Sequence, residues 1–213
     1  MKHLLLLAVL LSATFVLPAA AQAPRAAVLS DADQAELAHV QAYLNGLRTL
    51  KARFVQTGPD GKVSTGTAWL ERPGRMRFEY DKPSPLLLVA GHGTVVFRDN
   101  QLDQTSTIPL SQTPLGLLLA DTIVLTGPVT VTAFERLPSA VELTLVRTAT
   151  PGDGSLTLML NPNPLTLVGW SVVDAQGRQT NLRLTDVTQG GAFDEKLFTF
   201  NDPDAPGGAG NTP

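Results

Sequence analysis

Apolar residues along this chain follow two periods, and the change between them divides it. From Ser30 to about Arg53 there is no proline, and Leu37, Val40, Leu44, Leu47 and Leu50 recur at steps of three and four. That spacing predicts one amphipathic helix with a single apolar stripe, read here as packing against a sheet. Ser30 offers an N-cap and Asp33 follows three residues later, near a capping box. Gly46 weakens the helix slightly. Beyond Arg53 the period becomes two. Strand-like runs fall at 54–57, 66–72, 75–80, 86–90, 94–98 and 102–108, then at 129–136, 141–147, 155–161, 165–174, 180–187 and 197–200. Pro59-Asp60-Gly61, Gly91-His92-Gly93, Asp99-Asn100 and Pro162-Asn163-Pro164 punctuate them as turns. Short strands at regular spacing predict a mainly β (α+β) fold. We expect an incomplete antiparallel β-barrel of about eleven strands, covered by the N-terminal helix and short lid helices.

Segment 113–121 breaks the strand rhythm. Thr113 is a candidate cap, Pro114 suits the first helical position, and Leu115, Leu117, Leu118 and Leu119 make the helix apolar all round. Such a helix needs cover on more than one side, which places it across or inside the concave face of a curled sheet. The strands supply that face. Met76, Phe78 and Tyr80 alternate with Arg75, Arg77 and Glu79, and period-two sets recur at Leu156/Leu158/Leu160 and Leu182/Leu184. If the helices fall short of filling the concavity, an apolar cavity remains that can hold hydrocarbon. The competing expectation is an interior filled by its own side chains.

The N-terminus changes where this fold is expected to work. Met1-Lys2-His3 precedes fourteen uncharged, mostly apolar residues, Leu4 to Leu17, too few to span a bilayer. Pro18 and a run of small residues follow, and Ala21 and Ala23 fit a small-x-small cleavage site. This reads as a signal peptide, 1–23, cleaved near Ala23, with export to the periplasm; an uncleaved anchor is the less favoured alternative. The main domain is expected over 30–203. The remainder, 204–213, is rich in Gly, Pro and Asn and is expected to be disordered.

Composition narrows the chemistry. Sixteen Lys+Arg stand against nineteen Asp+Glu, a net charge of -3, so no basic surface is expected for nucleic acid. The chain has no cysteine and three histidines, His3, His39 and His92. Disulfides, thiol catalysis and thiolate metal sites are therefore excluded, and acylation of this chain at a lipobox cysteine with them. No G-x-S-x-G elbow, Walker loop, G-x-G-x-x-G or H-E-x-x-H is present. The chain is read as a non-enzyme with no catalytic residue, metal or cofactor.

Residues 54–56, Phe-Val-Gln, and 66–80, Gly-Thr-Ala-Trp-Leu-Glu-Arg-Pro-Gly-Arg-Met-Arg-Phe-Glu-Tyr, resemble the periplasmic outer-membrane lipoprotein carrier family, LolA. Gln176-Gly177 and Leu197-Phe198-Thr199-Phe200 resemble its last hairpins, and the likeness covers about 34–203. The resemblance implies a cavity for lipoprotein acyl chains, closed by helices. It gives Arg72, of the Arg-Pro pair, the role of tethering the lid by hydrogen bonds, and it makes Met76 and Phe78 cavity-facing. Leu70, Tyr80, Leu158 and Leu182 join them as expected wall residues, with Leu115, Leu117, Leu118 and Leu119 as the lid. The partners implied are acylated lipoproteins, an inner-membrane ABC lipoprotein-releasing complex and, where one exists, an outer-membrane acceptor lipoprotein, served by a monomer. The alternative is a related half-barrel that binds lipid or glycolipid, or senses lipoproteins.

Overall fold

The computed structural model describes residues 23–201. The leader, but for Ala23, and the 204–213 tail lie outside them. Helix α1 spans Asp31–Gly46 and opens on the expected capping box: Ser30 Oγ accepts from the Asp33 N–H at 3.2 Å, and Asp33 Oδ2 accepts from the Ser30 N–H at 3.1 Å. Leu37, Val40 and Leu44 are its buried face. The helix does not continue to Arg53 as the stripe suggested. It ends at Gly46, and strand β1 starts three residues later, Thr49–Thr57. Leu50 is buried as expected, but from the strand, where Leu50, Ala52 and Phe54 face the core and Lys51 faces water. A glycine that disfavours helix stands where two periods overlap, and the period-two set wins because it buries three residues at once.

Ten further strands follow: β2 Val63–Glu71, β3 Arg75–Tyr80, β4 Leu86–Gly91, β5 Thr94–Asp99, β6 Gln104–Pro109, β7 Val129–Leu137, β8 Ala140–Arg147, β9 Gly154–Pro162, β10 Leu165–Asp174 and β11 Gln179–Gln189. All lie in one sheet ordered β6-β5-β4-β3-β2-β1-β11-β10-β9-β8-β7, every neighbouring pair antiparallel. Two meanders thus meet at the β1–β11 pair. Register carries the inward line across strands, with Leu50 opposite Leu70 and Leu70 opposite Met76. In the second meander a slip between Leu167 and Gly169 lets Leu167 and Trp170 both be buried.

The sheet curls strongly. Phe78 on β3 and Trp170 on β10 are separated by β2, β1 and β11, yet their rings stand 6.1 Å apart. The product is an incomplete barrel whose edge strands, β6 and β7, do not pair with each other. Its concave side holds the core, closed by α1 and by the segment between β6 and β7.

Three local expectations are corrected. Segment 197–200 is not a strand; Glu195–Phe198 is a 3₁₀ turn capped by Asp194, whose Oδ1 accepts from the Lys196 N–H at 2.9 Å. Phe198 packs on the convex face against Gly91, where a Cβ would lie 2.3 Å from the Phe198 carbonyl oxygen. The helix expected over 113–121 shrinks to α2, Leu115–Leu118, after a 3₁₀ turn at Leu110–Gln112. Thr113 does not cap it, because its hydroxyl donates back to the Leu110 carbonyl at 2.9 Å. Finally, Asp99-Asn100 is not a two-residue turn. The connection runs to Asp103, and Asp99 Oδ1 accepts from the N–H groups of Gln101 and Leu102.

Candidate functional site: a cover over the concave face

The connection between β6 and β7 carries α2 and then runs without regular secondary structure through Ile123 and Leu125. Leu118, Leu119, Ile123 and Leu125 turn into the core, while Leu115 and Leu117 are partly buried against it. This connection is the cover. Leu70, Met76, Phe78, Leu158 and Leu182 are buried in the cluster that it caps, and Tyr80 packs on that cluster from the rim. All ten apolar candidates therefore come together. Phe54 sits among them, 4.9 Å from Phe78 and 5.2 Å from Tyr80 in edge-on contacts. The Tyr80 hydroxyl donates to Gln56 Oε1 at 2.9 Å, and burial raises its pKa.

Here the concave face is packed with its own side chains. Five pockets on the described residues open elsewhere, and none of these five takes a wall from Leu70, Met76, Phe78, Tyr80, Leu158 or Leu182. One, of about 500 Å³, lies on the convex side between Arg77, Arg98 and the 194–201 segment.

Arg72 stands where α1, the cover and β2 meet, only 3% exposed. Its Nε donates to the Ala120 carbonyl at 2.8 Å and Nη2 to the Asp121 carbonyl at 3.0 Å. Nη1 donates to the carbonyls of Leu44 and Leu47, the latter at 3.2 Å. Two of these acceptors belong to the end of α1, where helix carbonyls lack intrahelical partners, and two belong to the cover. A planar guanidinium suits the task because it presents five donors in a fixed fork. All four acceptors are neutral. Burial, then the nearby Arg48 charge, push the Arg72 pKa below its ordinary value, and Asp121 opposes them.

Other residues extend this seam. Arg48 donates to the Asp121 carbonyl and to Asp121 Oδ1, both at 2.9 Å. Asn45 holds Ile123 from both sides, accepting its N–H at 2.9 Å and donating to its carbonyl at 2.9 Å. Gln41 Oε1 accepts from the Leu125 N–H at 2.8 Å, and the Gly74 N–H donates to the Leu119 carbonyl at 2.8 Å. Sequence reasoning singled out Arg72 but missed Asn45, Arg48 and Gln41. Their partners lie 73 to 84 residues away, so no local pattern marks them. The one available hint was the i, i+4 spacing of Gln41 and Asn45, which sets both on one side of the helix. Among the described residues no cluster of His, Asp and Glu could hold a metal, and no helix is long and apolar enough to cross a membrane.

Comparison with known proteins follows the same line. An outer-membrane lipoprotein carrier protein of Methylococcus capsulatus is 28% identical over 183 residues, covering 82% of this chain and 87% of the relative. One from Chromohalobacter salexigens is 27% identical over 206 residues, covering 92% and 93%. A solved LolA superfamily protein from Nitrosomonas europaea overlays 76% of this chain and 97% of its own at 11% identity, with a TM-score of 0.39. The family model described as outer membrane lipoprotein carrier protein LolA matches residues 45–201, from the end of α1 past the last 3₁₀ turn. On that match, which spans the whole sheet and the whole cover, the chain belongs to the LolA family of outer membrane lipoprotein carrier proteins.

Proposed function

We propose that this chain is a periplasmic chaperone that carries acylated lipoproteins from the inner to the outer membrane, sheltering their acyl chains beneath the cover. The observation that carries the reading is the Arg72 seam: one buried guanidinium joins the cover to α1 through four neutral carbonyls, directly above an apolar concave face. An acyl chain in water costs about 0.8 kcal/mol per methylene. A carrier has to offset much of that and still release its load. A packed, closed, empty state held by breakable polar bonds supplies the opposing term, because closing again recovers both the core contacts and the bonds. Nothing in this cycle calls for a chemical step.

Arg72 is the lid tether in this reading. Leu70, Met76, Phe78, Tyr80, Leu158 and Leu182 form the wall exposed when the lid residues Leu115, Leu117, Leu118 and Leu119 lift away. Loading from an inner-membrane ABC lipoprotein-releasing complex, and discharge to an outer-membrane acceptor lipoprotein, are the partners that family membership suggests. Export through a leader cleaved near Ala23 provides the address.

Two measurements test the reading. The native protein is isolated from the periplasm and its load identified by mass spectrometry, while its depletion is followed for lipoproteins retained in the inner membrane. Triacylated lipoproteins on the protein and retention on depletion are expected; free lipid alone would instead favour a half-barrel lipid binder. In the same assay Phe78→Glu, which sets a charge on the apolar wall, abolishes loading. Because Phe78 is buried, Phe78→Leu serves as the folded control and keeps at least part of the loading.

A further inference from the structure

The cover is held unequally along its two flanks. Toward α1 and β2–β3 it is fastened by Arg72, Arg48, Asn45, Gln41 and the Gly74 amide. Toward β7 and β8, among the described residues, the cover is bonded only near its two ends, by Arg147 Nη1 to the Thr113 carbonyl at 3.0 Å and, where it joins β7, by the Thr148 hydroxyl to the Gly127 carbonyl at 2.7 Å and the Thr148 N–H to the Pro128 carbonyl at 3.0 Å; between them no hydrogen bond to these strands is made. On that same flank lies a recess of about 380 Å³, within the range of small-molecule pockets. Leu117, Ala120 and Val124 of the cover face Val129, Leu145 and Ala149 across it. Its walls are continuous with the interior, since Ile123, Leu125 and Leu145 line the recess and belong to the buried core. Arg147 also lines it. The backbone of α2 comes so near that a Cβ on Gly116 would lie 2.6 Å from Arg147 Nη2.

Resting on the carrier reading, we propose that this recess is the portal through which acyl chains enter and leave the concave interior, with Arg147 as its latch. The cover then lifts first along β7–β8, before the Arg72 seam releases. A chain sliding in meets an unbroken apolar path from the surface to the core. The recess at the start of α1, lined by Ala27, Leu29, Leu37, Ala38 and Leu125, is the competing route.

The test is stopped-flow uptake and release of a triacylated lipopeptide with a fluorescent acyl chain, using the full chain. Ala149→Trp plugs the proposed portal from an exposed position; Ala38→Trp plugs the competing recess, also from an exposed position. A portal is a path and not a resting place. Ala149→Trp is therefore expected to slow both uptake and release at least tenfold and leave Kd unchanged, while Ala38→Trp matches the unaltered protein. Arg147→Met, which removes the latch and keeps the apolar stem, is expected to speed both rates at least threefold. Unchanged rates in Ala149→Trp, or slowing confined to Ala38→Trp, would overturn the portal. Weaker binding in Ala149→Trp through faster release alone would make the recess a resting site and overturn it as well. Unchanged rates in Arg147→Met overturn the latch. Failure of the unaltered protein to bind the lipopeptide at all overturns the carrier reading itself.

Discussion

Two arginines of this fold sit on opposite sides of the sheet and are bonded in opposite ways. Arg53, on the convex side of β1, is exposed and pairs with the Asp81 carboxylate; its Nη1 also donates to Thr67 Oγ1 at 3.0 Å. Arg72, at the end of the concave side, is buried and meets only carbonyls. The first arrangement ties the middles of β1 and β2 to the end of β3 within one sheet. The second joins two separate coverings and leaves a buried charge without a carboxylate in direct contact. Breaking an exposed ion pair frees both charges into water and changes little. Releasing Arg72 restores the hydration of a guanidinium and of four carbonyls, which offsets much of the hydrogen bonding lost. The difference suits the two places: a static brace outside, and inside a joint whose open and closed forms lie close in energy.

The widest gap between the two is expected on removal of the guanidinium. Arg72→Leu should destabilise the closed protein by about 1–3 kcal/mol, the cost of one buried acceptor left unpaired, because a loosened cover returns the other carbonyls to water. Denaturant unfolding should stay cooperative with an earlier midpoint. Transfer should suffer more than folding. With closure weakened, the loaded, open form is favoured, and discharge to an acceptor should fall at least tenfold while loading persists. The same change at Arg53 should leave transfer untouched. Equal transfer by both variants would remove the distinction drawn here.

What the sequence disclosed, and what it hid, follows the range of the interactions. Alternation in 75–80 placed Met76 and Phe78 inward and Arg75 and Arg77 outward, because a strand's faces are set by its own residues. The capping box at Ser30 was legible for the same reason. The end of α1 was not: Leu47 and Leu50 fit helix and strand equally, and only pairing with β2 and β11 decides between them. Arg72 stood out through its Arg-Pro context, whereas Asn45, a polar residue near a helix end, reads as an ordinary terminus until Ile123 is brought beside it. The packed interior was equally invisible, since period-two faces show that a surface is apolar but not whether it meets its partner. Contact between Phe78 and Trp170 across three strands is a property of the curl.

A smaller effect sharpens the picture within the seam. Asn45 satisfies both backbone groups of Ile123, two residues beyond the Arg72 grip on Asp121. Asn45→Ala should cost about 1–2 kcal/mol, as one or two neutral hydrogen bonds are lost. The specific readout is amide hydrogen exchange. Protection at Ile123 and Leu125 should fall by about tenfold or more, while amides of the β1–β2 ladder near Arg53 keep theirs. If protection falls evenly across the sheet, the cover is not a separate opening unit.

The smallest effect concerns acid. Arg53 and the Thr65 hydroxyl, which donates at 2.6 Å, lower the Asp81 pKa to about 2. An unfolded aspartate titrates near 3.9. The folded value lies below the unfolded one, so Asp81 contributes its stability fully above about pH 4 and loses it as pH falls toward 2. Arg72's own acceptors are carbonyls, which do not titrate, so its grip carries no such term. Thermal midpoints measured between pH 6 and 2 should therefore fall less steeply below pH 4 in Asp81→Asn than in the unaltered protein, and Arg72→Leu should keep the parent slope. Because Asp81 is exposed, the change in slope is small. An acid limb that flattens in Arg72→Leu instead would place the acid-sensitive contact in the seam and reverse the roles assigned to the two arginines.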